Sequence, residues 1–228
     1  MTANIPVSDT RTKLVQLLSQ NGVTGIRPID PVKDRDIIAI LKQAQQEVRE
    51  HYHLPASFTF PETYIITEAK PDSLPGYLLI NNAAILLPSP LLPKPIALIG
   101  KDLLQLVTPA ELRAAMVHEY GHAILEHTRT PAKAESQECQ ADHMAINLGY
   151  EKEMLSLMRK ANAKYTADTT IKNKVPVSEF ELLRHRMKAL QRAIGREEAG
   201  KSDTETLNDI AAPRITFNNQ CKPTKIRD

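Results

Sequence analysis

The sequence His118-Glu119-Tyr120-Gly121-His122 constrains the fold of this chain more than any other feature. On an α-helix, residues four apart share a face, so both imidazoles could reach one metal ion. Glu119 would then lie about 100° round the helix, beside the ion, where a general base must stand. Upstream, Thr108-Pro109-Ala110-Glu111 is typical of a capping box with proline in the first turn. These signals together predict a helix that runs to about His127 and carries two metal ligands.

A catalytic zinc site takes three protein ligands, so a third residue must come from another part of the chain. The next predicted helix, about residues 134–148, contains Glu138 and Asp142 four positions apart. We expect Glu138 to bind the metal and Asp142 to accept a hydrogen bond from a ligand histidine, which would fix the tautomer of that ring. Glu135, one turn earlier, is a lesser alternative for the ligand. His127 is poorly spaced for a third ligand and is interpreted as an exposed histidine in the last turn of the first helix.

This pattern resembles the gluzincin metallopeptidases, and within them the family of HtpX and the CAAX prenyl proteases. The similarity extends beyond the two helices and covers roughly residues 80–190. It includes, in chain order, Asn82-Ala83, Ile96–Leu104, Leu106–Leu112, Gly149-Tyr150 and Arg186–Leu190. The resemblance implies an α+β, zincin-like fold, in which a small sheet with an exposed edge accompanies a C-terminal part that is mostly helical.

The resemblance also implies a function, that of a zinc-dependent metalloendopeptidase. One zinc ion would be bound by His118, His122 and Glu138, and Glu119 would take a proton from the zinc-bound water that attacks the peptide bond. The edge strand that pairs with the backbone of a peptide or protein substrate would consist of Ile96, Ala97, Leu98 and Ile99. The candidates for stabilising the transition state are Arg186 and His185 on the last helix, with Tyr150 a weaker one.

Two other functions are compatible with the same residues. The first is a catalytically silent zinc-binding domain that recognises a partner, because a fold and a site do not guarantee turnover. The second is a regulatory protein similar to the ImmA/IrrE-type family, which also has a His-Glu-x-x-His motif and a following Glu helix, and which would cleave or bind one repressor. A purely structural zinc is disfavoured, since structural sites usually close with four Cys or His ligands.

The composition narrows the classes of partner. Lysine and arginine number 29 against 27 for aspartate and glutamate, and aromatic residues make up 4% with no tryptophan, so we expect no nucleic-acid partner. No apolar stretch of about 18–20 residues is uninterrupted, which predicts no integral membrane segment. The first residues show no basic and apolar signal regions, so a cytoplasmic location is the default expectation, with export by a route that reads no cleavable signal left open.

The predicted helices and the composition divide the chain into three segments. Residues 1–55 would form an N-terminal helical segment, 56–195 the metallopeptidase domain, and 196–228 a polar, flexible tail. The two cysteines are too few for a disulfide framework. Cys139 is interpreted as a buried apolar residue, and Cys221 as an idle thiol of the tail or as one that occupies the open position of the zinc.

Overall fold

The computed structural model of the chain shows an α+β fold with a small sheet and a C-terminal part that is mostly helical, as predicted. It describes residues 12, 14–16, 18, 19, 23–69, 84–87, 95–127, 134–167, 177–198, 215–217 and 223–225. The strands are β1 (Val23–Pro28), β2 (Glu62–Ala69), β3 (Ala84–Leu87), β4 (Ile96–Gly100), β5 (Ile215–Phe217) and β6 (Pro223–Lys225). The helices are α1 (Arg35–His51), α2 (Lys101–Leu106), α3 (Pro109–Ile124), α4 (Ala134–Asn147), α5 (Glu151–Ala167) and α6 (Val177–Glu198). Within the described ranges, none of these helices has the length and apolar character needed to cross a membrane.

The main sheet has four strands in the order β1-β2-β4-β3. The β2–β4 pair is parallel, whereas β1–β2 and β3–β4 are antiparallel. The prediction that Ile96–Ile99 forms an exposed edge is therefore wrong, because β4 lies between β2 and β3. All five residues of β4 are buried, and a short apolar run without polar alternation is typical of a strand covered on both faces. In the described part of the sheet, β3 takes the edge position beside β4.

The first 55 residues contribute to the sheet and to the core. β1 pairs with β2, and Leu41, Ala44 and Val48 of α1 are buried in the main hydrophobic core together with residues of α3. α1 begins at Arg35, and before it the Asp30 carboxylate accepts hydrogen bonds from the backbone N–H groups of Val32 and Lys33 and so closes a turn. The described residues between 12 and 19 are helical, and Leu14 and Leu18 pack against the sheet.

Helix α3 begins where the capping box predicts. The Thr108 hydroxyl accepts from the Glu111 N–H at 3.2 Å, and the Glu111 carboxylate accepts from the Thr108 N–H at 2.7 Å. Glu111 also accepts hydrogen bonds from Lys160 and Ser156 of α5, each at 2.6 Å. Ten residues of α3 are buried, so this helix lies inside the molecule, where it packs against α1, α4, α5 and β3. The histidine motif is thus held on a helix that is fixed at its start and enclosed along its length.

The C-terminal segment 196–228 is not polar coil throughout. α6 continues to Glu198, β5 and β6 form an antiparallel pair, and β5 packs against α4. Cys139 of α4 is buried, as expected, but it is disulfide-bonded, which corrects its interpretation as a simple apolar residue. The sequence has one other cysteine, Cys221, which lies outside the described residues.

Candidate metal centre

Two helices bring the three predicted ligands together. α3 presents His118 and His122 one turn apart, and their Nε2 atoms are 3.1 Å from each other. α4 crosses α3 and places the Glu138 carboxylate 3.3 Å from each of these nitrogens. This is the group of His, Cys, Asp and Glu side chains in the described residues that could hold a metal ion.

The separations of the three groups fit a small cation. Ligand atoms about 2.0 Å from a tetrahedral zinc ion lie roughly 3.3 Å from one another, which matches the distances of 3.1 and 3.3 Å observed here. Two imidazoles and one carboxylate are also a donor set that zinc accepts in catalytic sites. The geometry and the chemistry of the site therefore both agree with one ion held by His118, His122 and Glu138.

The close approach of α4 to α3 depends on a glycine. Gly121 lies between the two histidines in the motif, and a Cβ atom added there would stand 3.1 Å from Met144 Sδ and 3.3 Å from Ala141 Cα. A larger residue would separate the helices, so glycine at this position lets Glu138 approach the histidines. The close packing explains why a residue with poor helix propensity occupies the middle of a buried helix.

Glu119 lies beside the cluster of His118, His122 and Glu138, as the motif predicts. It is 7% exposed, and its Oε1 atom lies 4.0 Å from His118 Nε2. At this distance the carboxylate is adjacent to the ligand cluster, where a water molecule could contact both. This is the side of the ligand cluster where the motif predicts a general base.

A buried network of ion pairs supports the ligands from behind. Asp142 Oδ1 lies 2.9 Å from His118 Nδ1. A carboxylate at Nδ1 favours the tautomer with its hydrogen on that nitrogen, which leaves the Nε2 lone pair available to a metal ion. Arg186 of α6 donates to both oxygens of Asp142, from Nε at 2.7 Å and from Nη2 at 2.8 Å. Its Nη1 atom is 2.8 Å from Glu138 Oε2. The guanidinium therefore holds the ligand carboxylate and the carboxylate that orients His118 in one fixed arrangement.

The electrostatics of the site favour a cation. Burial lowers the pKa of His118, but its hydrogen bonds to Asp142 and Glu138 outweigh that effect and raise the pKa to about 10. Burial likewise raises the pKa of Glu138, yet the charge of Arg186 and the hydrogen bonds to both histidines hold that pKa well below its usual range. The two carboxylates therefore favour the positively charged form of His118.

His127 has a different position from the one that its spacing predicts. It is partly buried, and its Nδ1 atom lies 2.8 Å from His122 Nδ1 while its Nε2 atom lies 2.7 Å from Gln140 Oε1. Burial lowers the pKa of His127, and the electrostatic interaction with His122 adds to this, so the pKa falls to about 4. The prediction of an exposed last-turn histidine is therefore wrong. The five-residue spacing from His122 was the one signal in the sequence that could have indicated this contact.

The remaining candidates are distributed as follows. Arg186 reaches the site, where it binds the two carboxylates. The hydroxyl of Tyr150 donates to Glu47 of α1, and its role in stabilising the transition state stays a prediction. His185 lies beside Arg186 on α6 and is partly buried, and its role stays a prediction. The side chain of Glu135 lies outside the described residues.

Comparison with known proteins identified no relative. No protein-family model, no curated protein and no solved structure matches this chain. The resemblance to gluzincin metallopeptidases therefore depends on the sequence motifs and stays a prediction.

Proposed function

We propose that this chain is a zinc-dependent metalloendopeptidase with a zincin-like fold, similar to the family of HtpX and the CAAX prenyl proteases. The observation that carries the proposal is the convergence of His118, His122 and Glu138 at zinc-like separations, with Glu119 adjacent. A purely structural metal site would not require a carboxylate at the position of Glu119. Structural zinc sites also usually have four Cys or His ligands.

Each residue of the site has a separate role in the proposed reaction. A zinc ion held by the three ligands would supply Lewis acidity, which acidifies water and polarises the scissile carbonyl. Glu119 would accept the proton of the attacking water and deliver it to the leaving amine. Asp142 and Arg186 would keep the ligands in place, because they bind His118 and Glu138 and are themselves largely buried.

The substrate would be a peptide segment in extended conformation. β3 is one of the two edge strands of the main sheet in the described part of the chain, and it contacts α3, which carries the histidine motif. An exposed strand edge offers backbone N–H and C=O groups to an added strand. We therefore assign the pairing with substrate to β3 in place of β4, which has a neighbour on both sides.

The disulfide bond of Cys139 provides an argument about the cellular compartment in which the protein is located. Disulfides persist in oxidising environments and are rare in the cytosol, where thiols are kept reduced. A bonded cysteine next to a metal ligand therefore favours an oxidising compartment over the default expectation of a cytoplasmic location.

The test compares wild type with Glu119→Gln and with a matched control. Zinc content is measured by elemental analysis, and cleavage is measured on an unfolded protein such as casein. The control is Glu50→Gln, which makes the same chemical change at an exposed residue of α1. We expect about one zinc per chain in all three proteins, with cleavage by wild type and the control and none by Glu119→Gln.

Three outcomes would contradict the proposal. If wild type binds no zinc when the metal is supplied, the metal site itself is wrong. If all three proteins bind zinc and Glu119→Gln cleaves as fast as wild type, Glu119 is not the general base. Zinc binding without cleavage by any of the proteins would favour the catalytically silent, partner-binding domain.

A further inference from the structure

His122 and His118 are supported by different groups. His118 has a carboxylate, Asp142, at its Nδ1 atom. His122 has a neutral relay in the same place: His122 Nδ1 lies 2.8 Å from His127 Nδ1, and His127 Nε2 lies 2.7 Å from Gln140 Oε1. The relay runs from α3, through the turn that follows it, to α4.

The backbone holds His127 in this position. The chain leaves α3 through Glu126, which has a positive φ of 53°. The His127 N–H then donates to the carbonyl of His122 at 3.1 Å, and Gln137 donates to the carbonyl of His127 at 3.2 Å. The ring of His127 thus faces that of His122, with 5.0 Å between the ring centroids.

The direction of the hydrogen bonds follows from the chemistry of the groups. An amide oxygen only accepts, so His127 Nε2 must carry the hydrogen that Gln140 Oε1 receives. The other nitrogen of a neutral imidazole is an acceptor, so His127 Nδ1 accepts from His122 Nδ1. His122 then carries its hydrogen on Nδ1, and its Nε2 lone pair is directed at the group formed with His118 and Glu138.

We propose that His127, oriented by Gln140, is a positioning residue that fixes the tautomer and the ring orientation of His122 for metal binding. This inference depends on the proposed metal site. His127 is not itself a ligand, because one of its ring nitrogens contacts His122 and the other contacts Gln140. Loss of a supporting group of this kind typically weakens metal binding about 10- to 100-fold.

The first test measures zinc affinity by competition with a chelating dye. His127→Ala and Gln140→Leu should each weaken zinc binding about 10- to 100-fold. Gln140→Glu should bind within a few-fold of wild type, because a carboxylate still accepts from His127. Gln46→Leu is the matched control, since it removes an exposed glutamine that donates to Glu50 on the same helix, and it should leave the affinity unchanged. Thermal unfolding of each variant checks that it folds.

The second test observes the tautomer directly. In ¹⁵N NMR spectra of the full chain, with and without zinc, His122 should carry its hydrogen on Nδ1 in wild type and in Gln140→Glu. In His127→Ala the metal-free protein should show a mixture of both tautomers. A change in overall stability alone would not move this signal.

The outcomes separate the inference from the proposed function. If wild type binds zinc and both His127→Ala and Gln140→Leu bind it equally well, the positioning role is refuted while the metal site stands. A hydrogen on Nε2 of His122 in the metal-free wild type would also refute it. If wild type binds no zinc, the proposed function fails, and the inference fails with it.

Discussion

Replacement of Gly121 by alanine tests the link between helix packing and the metal site. In an open helix this change adds about 1 kcal/mol of stability, because alanine has the higher helix propensity. Here the new methyl group would stand 3.1 Å from Met144 Sδ and 3.3 Å from Ala141 Cα. The methionine is flexible and can move at low cost, but Ala141 Cα belongs to the backbone of α4, so the helix itself has to shift by a few tenths of an ångström.

The gain in helix propensity and the cost of overpacking oppose each other in the stability of the protein. At the metal site only the overpacking has an effect, because it displaces α4. Overpacking of a buried contact costs about 1–3 kcal/mol, so the net loss in the free energy of unfolding should be about 0–2 kcal/mol after the propensity gain. Glu138 lies one turn before Ala141 on α4, so a shift of this helix moves a ligand away from the histidines. We therefore expect zinc affinity to fall about tenfold or more, which is a loss of at least about 1.4 kcal/mol in binding.

Gly195→Ala is the matched control. Gly195 is an exposed glycine within α6, and an added Cβ atom would meet nothing within 4 Å. This variant should gain about 0.5–1 kcal/mol in urea unfolding and bind zinc like wild type in dye competition. If Gly121→Ala were stabilised as much as Gly195→Ala and kept the wild-type zinc affinity, the argument that glycine sets the distance between α3 and α4 would be refuted.

Three further predictions concern groups outside the ligand set. Glu111→Gln should lose about 2 kcal/mol of stability at neutral pH. Burial raises the pKa of Glu111, but its hydrogen bonds, with that to Lys160 foremost, lower the pKa overall. The stabilisation by the ionised carboxylate is therefore fully present above about pH 4 and is lost as the pH falls through the lowered pKa. In acid unfolding curves, the difference in stability between wild type and Glu111→Gln should close over that range. A thiol assay on denatured protein should find no free thiol before reduction, since Cys139 is bonded; two free thiols would contradict this. Arg186→Lys should fail to restore the zinc affinity lost in Arg186→Gln, because lysine cannot bind Asp142 through two parallel hydrogen bonds; full restoration would show that charge alone suffices.

Local signals in the sequence were sufficient to predict the two helices of the candidate metal site. The capping box places the start of α3, and the i,i+4 spacings place two ligands on one helix and Glu138 and Asp142 on one face of the next. These features depend on residues within a few positions of each other. They could be predicted because the geometry of a helix is the same wherever it packs.

The sheet could not be predicted in the same way. β1 contains Gly25 and Pro28, which are residue types uncommon in strands, yet it pairs with β2 through a register shift at Gly25. An added Cβ atom at Gly25 would lie 2.6 Å from Thr67 Oγ1. The absence of a side chain at Gly25 therefore allows β1 to lie close to Thr67 of β2. Likewise, nothing within Ile96–Ile99 indicates which strands flank it. Strand order is set by pairing between segments that are distant in the sequence. The contact of His127 with Gln140 likewise depends on how α3 and α4 pack against each other.

The ion pairs of Arg186 have a consequence for how the chain is synthesised. α3 and α4 leave the ribosome before α6, so during translation Glu138 and Asp142 exist for a time without the cation that binds them both. Carboxylates that lose water without gaining a partner are costly to bury, so we expect both to stay hydrated until Arg186 has been made. The arrangement of side chains around the candidate metal site can therefore be complete only after Arg186 of α6 has been made, 44 residues after Asp142.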